Sequence, residues 1–177
     1  MRSASHEVLR DRPYRRLDPV MAATGVTVVE SAPLLVSRSV EVDAPAGELF
    51  ALLADPRRHH ELDGSGTVQA TVSGPDRLSA GAKFSVGMKQ FGLPYRITSE
   101  VTGFEDGTLL EWRHPAQHVW RWEFTALSAG TTRITETWDA RSAKAVPATM
   151  FKLLSYGRKN ATGIEATLTR LQQRYAH

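Results

Sequence analysis

The chain has 177 residues and no cysteine. This absence excludes disulfide bonds, thiolate metal sites and cysteine nucleophiles, and it fits a reducing compartment. The sequence also lacks any apolar run near the roughly 20 residues that a membrane-crossing helix needs. Arginines are present at the N-terminus, but no apolar segment follows them as it would in a secretory signal. We therefore predict a cytoplasmic protein with no stable membrane insertion.

Signals for nucleic-acid, phosphate and cofactor binding are missing as well. The net charge is only +3, and the pI near 9.4 reflects an arginine excess with no lysine-rich run. No phosphate loop or dinucleotide fingerprint occurs, and Ser65 lacks the strand–turn–helix context of a nucleophile elbow. His114 and His118 have the spacing of two metal ligands on a helix, but Pro115 and the flanking strands argue against a helix there. We predict no nucleic-acid partner, no metal and no cofactor.

The N-terminal part of the chain, residues 1–32, is predicted to be a flexible, arginine-rich tail. Its first 20 residues contain five arginines and few apolar side chains. Met21 leaves open a start of translation at that position. The remainder, residues 33–177, is long enough for one domain with a good core and too short for two ordinary domains.

Beyond the tail, apolar and polar residues alternate as they do in β-strands, and helical spacing follows in places. A strand over 34–42 is followed by a helix that begins at Pro45 and ends at Asp55, and then by a short helical turn over 57–62. Because short turns join successive strands, we expect neighbours in the sequence to pair. Six further strands are predicted, over residues 67–73, 83–88, 95–102, 108–113, 119–126 and 131–140.

The last stretch, from Pro147 to Tyr175, has the spacing of one long amphipathic helix. Its face narrows to Gly157 and Ala161, which indicates either close approach to the sheet or room for a ligand. Only this helix is long enough to cover the sheet, so the pattern predicts an α+β architecture with the helix packed on an antiparallel sheet. The apolar or small positions of its face are Met150, Leu154, Gly157, Ala161, Ile164, Leu168, Leu171 and Tyr175.

Four segments of the sequence resemble a known family. They are Ser-Arg-Ser-Val-Glu-Val-Asp-Ala-Pro at 37–45, the helical segment at 48–56, Asp-Gly-Ser-Gly at 63–66 and Thr-Glu-Thr-Trp-Asp at 135–139. Through them the chain resembles the START-related, polyketide-cyclase-like (SRPBCC) lipid-transfer superfamily over residues 33–176. The resemblance implies a helix-grip fold: a curved antiparallel sheet of about six to seven strands wrapped around a long C-terminal helix, with two short helices after the first strand. It also implies the binding of lipids, polyketides or other apolar molecules between sheet and helix, and in some members cyclisation or dehydration.

The aromatic residues mark the concave face of the predicted sheet. Alternate residues of a strand share a side, so all four tryptophans, Trp112, Trp120, Trp122 and Trp138, are expected to face inward. Such a set forms either an ordinary aromatic core or the lining of a cavity for a flat hydrophobic molecule. We predict that the lining is completed by Phe84, Met88, Phe91, Leu154, Gly157 and Ala161.

Two groups of polar residues are candidates for the same cavity. Glu136 lies between Ile134 and Trp138 on the predicted inner face. A buried carboxylate without a partner is costly and its pKa rises, so Glu136 is a candidate anchor or acid/base. A register change of one residue would instead turn it to solvent. The resemblance places His59 and His60 near the cavity entrance, and a solvated histidine pair is the alternative.

Three functions remain open from the sequence. The favoured hypothesis is binding of a small hydrophobic ligand, such as a lipid, a polyketide or another aromatic or apolar metabolite, between the sheet and the C-terminal helix. The alternative is a cofactor-independent polyketide cyclase or dehydratase that uses Glu136 as acid/base, with His59 or Tyr156 as a second group. A filled core would instead indicate a structural or interaction module. Binding is favoured because acid–base catalysis normally needs paired, tuned groups; a homodimer stays open.

Overall fold

The computed structural model describes residues 25–176, so the arginine-rich segment at the N-terminus lies outside the described residues. In the described part, strands alternate with short turns, and helices follow the second strand and the last one. In chain order the elements are β1 (Thr27–Ala32), β2 (Leu35–Val42), α1 (Ala46–Ala54), a 3₁₀ turn (Pro56–Arg58), α2 (His59–Leu62), β3 (Val68–Ser73), β4 (Lys83–Gln90), β5 (Leu93–Glu105), β6 (Leu109–Arg113), β7 (Val119–Ala126), β8 (Thr132–Asp139), α3 (Ala145–Leu153) and α4 (Tyr156–Arg174).

The eight strands of the described residues form one antiparallel sheet in the order β1-β2-β8-β7-β6-β5-β4-β3. Strands β3 to β8 pair with their neighbours in the sequence, as the short turns between them predict. Strand β2 pairs with β8, with Val36 opposite Trp138. Helix α4 lies across the sheet, mainly against β2. The predicted α+β helix-grip architecture is therefore confirmed, with eight strands rather than six or seven.

The additional strand is β1, whose residues fall within the predicted tail. Because β1 pairs with β2, residues 27–32 belong to the folded domain and the predicted boundary at residue 32 is wrong. Arg38 of β2 stabilises this edge, since its Nη1 donates to the carbonyl of Glu30 at 2.8 Å. No regular alternation of apolar and polar residues marks this strand in the sequence, because Val28 and Val29 are both exposed.

The core lies between the inner face of the sheet and helices α1 and α4. Alternation on the strands turns one set of apolar residues inward, and α4 meets them with a stripe at helical spacing. At one end Phe50 of α1 packs edge-on against Phe124 of β7, with ring centroids 5.5 Å apart. The most completely buried side chains of β2, β8 and α4 are Val36, Val40, Val42, Ile134, Trp138, Ile164, Leu168 and Leu171.

The predicted single C-terminal helix is in fact two helices. Ser155 separates α3 from α4, and its φ of 54° and ψ of 39° lie in the left-handed region. The break turns α3 away from the stripe of α4, so Met150 is 52% exposed and Leu154 47% exposed, contrary to prediction. Phe151 faces inward instead, with its ring 5.6 Å from that of Trp138. Within the described residues no helix is both long and apolar enough to cross a membrane.

Candidate functional site

A cavity of about 730 Å³ lies between the sheet and α4. Strands β4 to β8 supply one wall by alternation, and α4 with the turn after α2 supplies the other. All four tryptophans of the chain line it, together with Phe84 and Met88 as the sequence predicts. Phe124, by contrast, belongs to the packed core beside Phe50. The aromatic face of the sheet therefore continues from a filled core into the wall of a hollow.

Close contacts on both sides of α4 hold the helix over this hollow. At one side a Cβ on Gly157 would lie 2.9 Å from the carbonyl oxygen of Pro33, so the glycine allows the helix to touch the β1–β2 turn. At the other side a Cβ on Gly64 would lie 2.3 Å from the carbonyl oxygen of Gly163, and the Gly64 N–H donates to Thr167 Oγ1 at 2.8 Å. Helix α4 therefore contacts two separate segments of the chain, and the residues of the second contact also line the cavity.

Four of the predicted lining residues lie outside the cavity wall. Gly157 and Ala161 are on the part of α4 that faces β1 and β2, so the small-residue notch serves close packing and does not make room for a ligand. Leu154 points outward because of the break at Ser155. Phe91 is 84% exposed at the tip of the β4–β5 hairpin, where its φ is 52° and its ring lies 5.7 Å from Lys159 Nζ.

Glu136 lies on the inner face of β8, in the cavity wall, and is 5% exposed. Its Oε2 has no hydrogen-bond partner within residues 25–176. The residue opposite on β2 is Arg38, but the guanidinium of Arg38 binds Glu165 Oε1 at 2.7 Å and does not neutralise Glu136. Burial raises the pKa of Glu136 well above its ordinary value, and the negative charge of Asp63 adds to the shift. The cavity therefore favours the neutral carboxylic acid.

A second buried polar group lies directly beside Glu136. Trp122 of β7 is the ladder partner of Glu136, so both side chains project from the same face of the sheet. Trp122 is 3% exposed, and its Nε1 also lacks a hydrogen-bond partner among the described residues. Buried polar groups are nearly always hydrogen-bonded in folded proteins. Glu136 and Trp122 are two adjacent exceptions in one cavity wall.

His114 and His118 form a third polar feature, at the loop that joins β6 and β7. Their rings are 4.5 Å apart and line the cavity, and His118 also contacts the ring of Phe151 at 5.2 Å. Neither Nδ1 has a hydrogen-bond partner in the described part of the chain. Burial lowers the pKa of His114 to about 3 and that of His118 to about 4, so both rings are neutral near pH 7.

The spacing of this pair in the sequence is that of metal ligands and does not indicate its position in the cavity wall. The available signal was the wide hairpin after Trp112, which carries the loop over the concave face. Across residues 25–176 no three His, Asp or Glu side chains are grouped so that they could hold a metal ion. The two histidines present neutral ring nitrogens to the cavity.

The other candidate histidines, His59 and His60, are the first two residues of α2, and only His59 lines the cavity. His59 lies in the cavity wall, where its Nε2–H donates to the Leu53 carbonyl at 2.8 Å and its ring stacks on Trp112 at 5.2 Å. Burial lowers the pKa of His59. His60 is exposed and bonds the carbonyl of Arg57. A solvated pair is therefore half right: His60 faces solvent and His59 does not.

Residues from the junction of α3 and α4 also line the cavity. Tyr156, Phe151 and Lys159 line it, and the rings of Phe151 and Tyr156 are 5.3 Å apart. Tyr95 of β5 also lines this end, and burial raises its pKa. Aromatic side chains from the sheet and from the helices therefore line this end of the cavity.

Solved structures of low sequence identity share this fold. The di-domain ARO/CYC protein BexL from the BE-7585A biosynthetic pathway has a TM-score of 0.61 at 17% identity, over 78% of this chain and 45% of BexL. The Zhui aromatase/cyclase from Streptomyces sp. R1128 has a TM-score of 0.57 at 16% identity, over 80% of this chain and 95% of Zhui. At these identities the likeness shows the fold alone.

Proteins of similar sequence show the family to which this chain belongs. The uncharacterized protein Rv0088 of Mycobacterium tuberculosis (strain ATCC 25618 / H37Rv) is 55% identical over 153 residues, which are 85% of this chain and 68% of that protein. The sequence model of the family described as polyketide cyclase / dehydrase and lipid transport matches residues 33–176. The resemblance stated from the four sequence segments is thereby confirmed. The chain belongs to the polyketide cyclase / dehydrase and lipid transport family.

Proposed function

We propose that this protein binds a small, flat and largely apolar molecule in the cavity between the sheet and α4. The observation that carries the proposal is the open volume of about 730 Å³, which is bordered by tryptophan rings and by buried polar atoms that lack partners among the described residues. Small-molecule sites usually have volumes of about 300–1,000 Å³, apolar walls and a few polar groups. Burying a ligand there contributes about 25 cal/mol for each Å² of apolar surface.

A filled core, the structural alternative, is harder to reconcile with these contacts. Protein interiors are close-packed, and voids larger than a water molecule are few. Here the wall includes aromatic rings and a carboxyl group that would need a partner in a finished core. A bound molecule supplies both the missing contacts and the missing hydrogen bonds.

The first experiment is mass spectrometry of the purified full chain, in the native state and after organic extraction. We expect a co-purified apolar compound at a fixed stoichiometry. Ser99→Phe is the matching variant, because Ser99 is buried on the inner face of β5, lines the cavity and lies opposite Phe84. The added ring should fill part of the cavity and lower the amount of bound compound at least tenfold.

Thr98→Phe is the control for Ser99→Phe. Thr98 is the next residue of the same strand and faces solvent, where its hydroxyl bonds that of Ser85. The control should retain the compound. Equal retention by both variants would contradict binding in this cavity.

A cofactor-independent cyclase or dehydratase is the second candidate. It is supported by the titratable groups that share one cavity, namely Glu136, His114, His118 and His59. A neutral carboxylic acid can give a proton and a neutral imidazole can take one. Turnover of a synthetic poly-β-ketone thioester, followed by chromatography and mass spectrometry, tests this candidate.

The informative variant for catalysis is Glu136→Gln, with Glu123→Gln as its control on the outer, exposed side of β7. If Glu136 transfers a proton, turnover falls by about 10²–10⁴ while binding changes little. If the protein only binds, neither variant changes the background rate of cyclisation.

A further inference from the structure

We propose that Trp122 and Glu136 together form a donor pair that recognises a neutral carbonyl oxygen, such as that of an aromatic ketone or quinone, on the bound molecule. This inference rests on the proposed binding function and names the chemical class of the ligand. It places one oxygen of the ligand at the β7–β8 part of the cavity wall, and the flat apolar body against the surrounding aromatic rings.

The indole of Trp122 is the first of the two proposed donors, and it determines which hydrogen-bonding group the ligand must offer. Its Nε1–H can donate a hydrogen bond and cannot accept one. The atom is buried, and no acceptor within the described residues reaches it. Leaving a buried donor unpaired costs the full desolvation of that group. The missing partner is therefore an acceptor, which an occupant of the cavity can supply.

Glu136 is the second proposed donor. A carboxyl group in this position is neutral because the charged side chains around it do not compensate a negative charge. Arg38, its neighbour on β2, is bound to Glu165 and to the carbonyl of Glu30. The turn after α2 contributes Asp63, which is itself negative. A neutral carboxylic acid carries one O–H donor, so Glu136 presents a second donor beside the first.

The ladder register brings these two donors together. Trp122 and Glu136 are directly opposed on β7 and β8, and opposed side chains of an antiparallel pair lie about 4.5–5.5 Å apart at Cβ. A carbonyl oxygen has two lone pairs and can accept from both. A ligand carboxylate is disfavoured at this point because it would bring a charge beside a carboxyl group, with Arg38 already engaged.

Paired probes that differ only at the carbonyl give a direct test. Fluorenone and fluorene are flat tricyclic molecules of nearly equal size, and only fluorenone carries a carbonyl oxygen. Their dissociation constants for the full chain are measured by isothermal titration calorimetry at pH 7. We expect fluorenone to bind about tenfold more tightly than fluorene, as hydrogen bonds in a buried site imply.

Three variants assign that preference to the two side chains. Glu136→Leu and Trp122→Phe should each lower the ratio of the fluorene to the fluorenone dissociation constant toward one. Each substitution removes a donor and leaves an apolar side chain at that position. Glu136→Gln keeps an N–H donor and should keep the preference. Fluorene binding by each variant shows that the cavity is intact, which separates loss of recognition from loss of folding.

The outcomes separate the inference from the function on which it rests. Equal affinity of the wild-type chain for both probes overturns the donor pair and leaves apolar binding in place. A preference for fluorenone that persists in Glu136→Leu and Trp122→Phe also overturns it. Binding of neither probe contradicts the proposed function and the inference together.

Discussion

At the scale of single residues, the polar side chains of the cavity behave differently from the same residue types in water. The sequence already placed Glu136 on the inner face, since it shares a parity with Ile134 and Trp138. It did not predict that His114 and His118 face the cavity, because a loop has no periodicity from which orientation follows. Only the folded chain brings both rings into the wall and lowers the pKa of each.

The histidine pair gives a prediction about acid stability. The pKa of His118 falls from an ordinary 6.5 to about 4 on folding, so the unfolded chain binds its proton first. The contribution of the neutral ring to the free energy of unfolding is fully present above pH 6.5. It is lost as the pH falls toward 4. His118→Gln should therefore lose less stability than wild type over this range, by roughly 2–3 kcal/mol.

Denaturant unfolding at a series of pH values measures this difference. His60→Gln is the control, because His60 lies on the surface of the same domain. It should keep the acid dependence of the wild-type chain. Parallel pH profiles for His118→Gln and wild type would show that the ring is not held neutral by burial.

At the scale of elements, the C-terminal segment shows where a pattern succeeds and where it stops. The stripe of Ile164, Leu168 and Leu171 predicts the buried face of α4 and is confirmed. The same spacing continues through Met150 and Leu154, but the left-handed backbone at Ser155 ends its continuity. The spacing of apolar residues does not reveal a single residue whose backbone is left-handed. The sequence therefore predicted one helix across the break at Ser155.

Gly157 offers a test of the close contact between α4 and the β1–β2 turn. In an unconstrained helix, replacing glycine by alanine stabilises by about 1 kcal/mol. At Gly157 a Cβ would instead meet two backbone carbonyl oxygens, at 2.9 Å from Pro33 and 3.3 Å from Ala32. Backbone cannot move aside cheaply, so Gly157→Ala should lower the free energy of unfolding by about 1–2 kcal/mol.

Gly47→Ala in α1 is the matched control for that substitution. A Cβ at Gly47 meets nothing within 4 Å. This variant should be as stable as wild type or more stable by about 0.5–1 kcal/mol. Thermal and urea unfolding of both variants give the comparison, and a Gly157→Ala chain as stable as wild type would argue against a tight helix contact.

At the scale of the whole molecule, the order of the strands decides where the domain begins. The family match starts at residue 33, yet β1 pairs along β2 before that point. Without β1, strand β2 would become the sheet edge, and exposed edges promote pairing with other chains. Arg38 would also lose the acceptor carbonyl of Glu30.

Two truncated chains test the contribution of β1. The chain 25–177 keeps the strand and the chain 33–177 removes it, while the preceding segment is absent from both. We expect 33–177 to unfold at a temperature several degrees lower and to aggregate more readily, as loss of an edge strand implies. Light scattering and thermal melts measure both effects, and indistinguishable chains would make β1 dispensable.

By itself the sequence determined the fold class, six strands of the meander and the inward position of the tryptophans and of Glu136. These follow from alternation and spacing, which are local properties of the chain. Tertiary structure decided the rest: β1 as an edge strand, the break at Ser155, and the histidines in the cavity wall. It also decided that Gly157 serves a contact while the hollow lies elsewhere. The volume of the cavity depends on the separation between α4 and the sheet, which contacts with distant segments of the chain determine. No local sequence pattern encodes that separation.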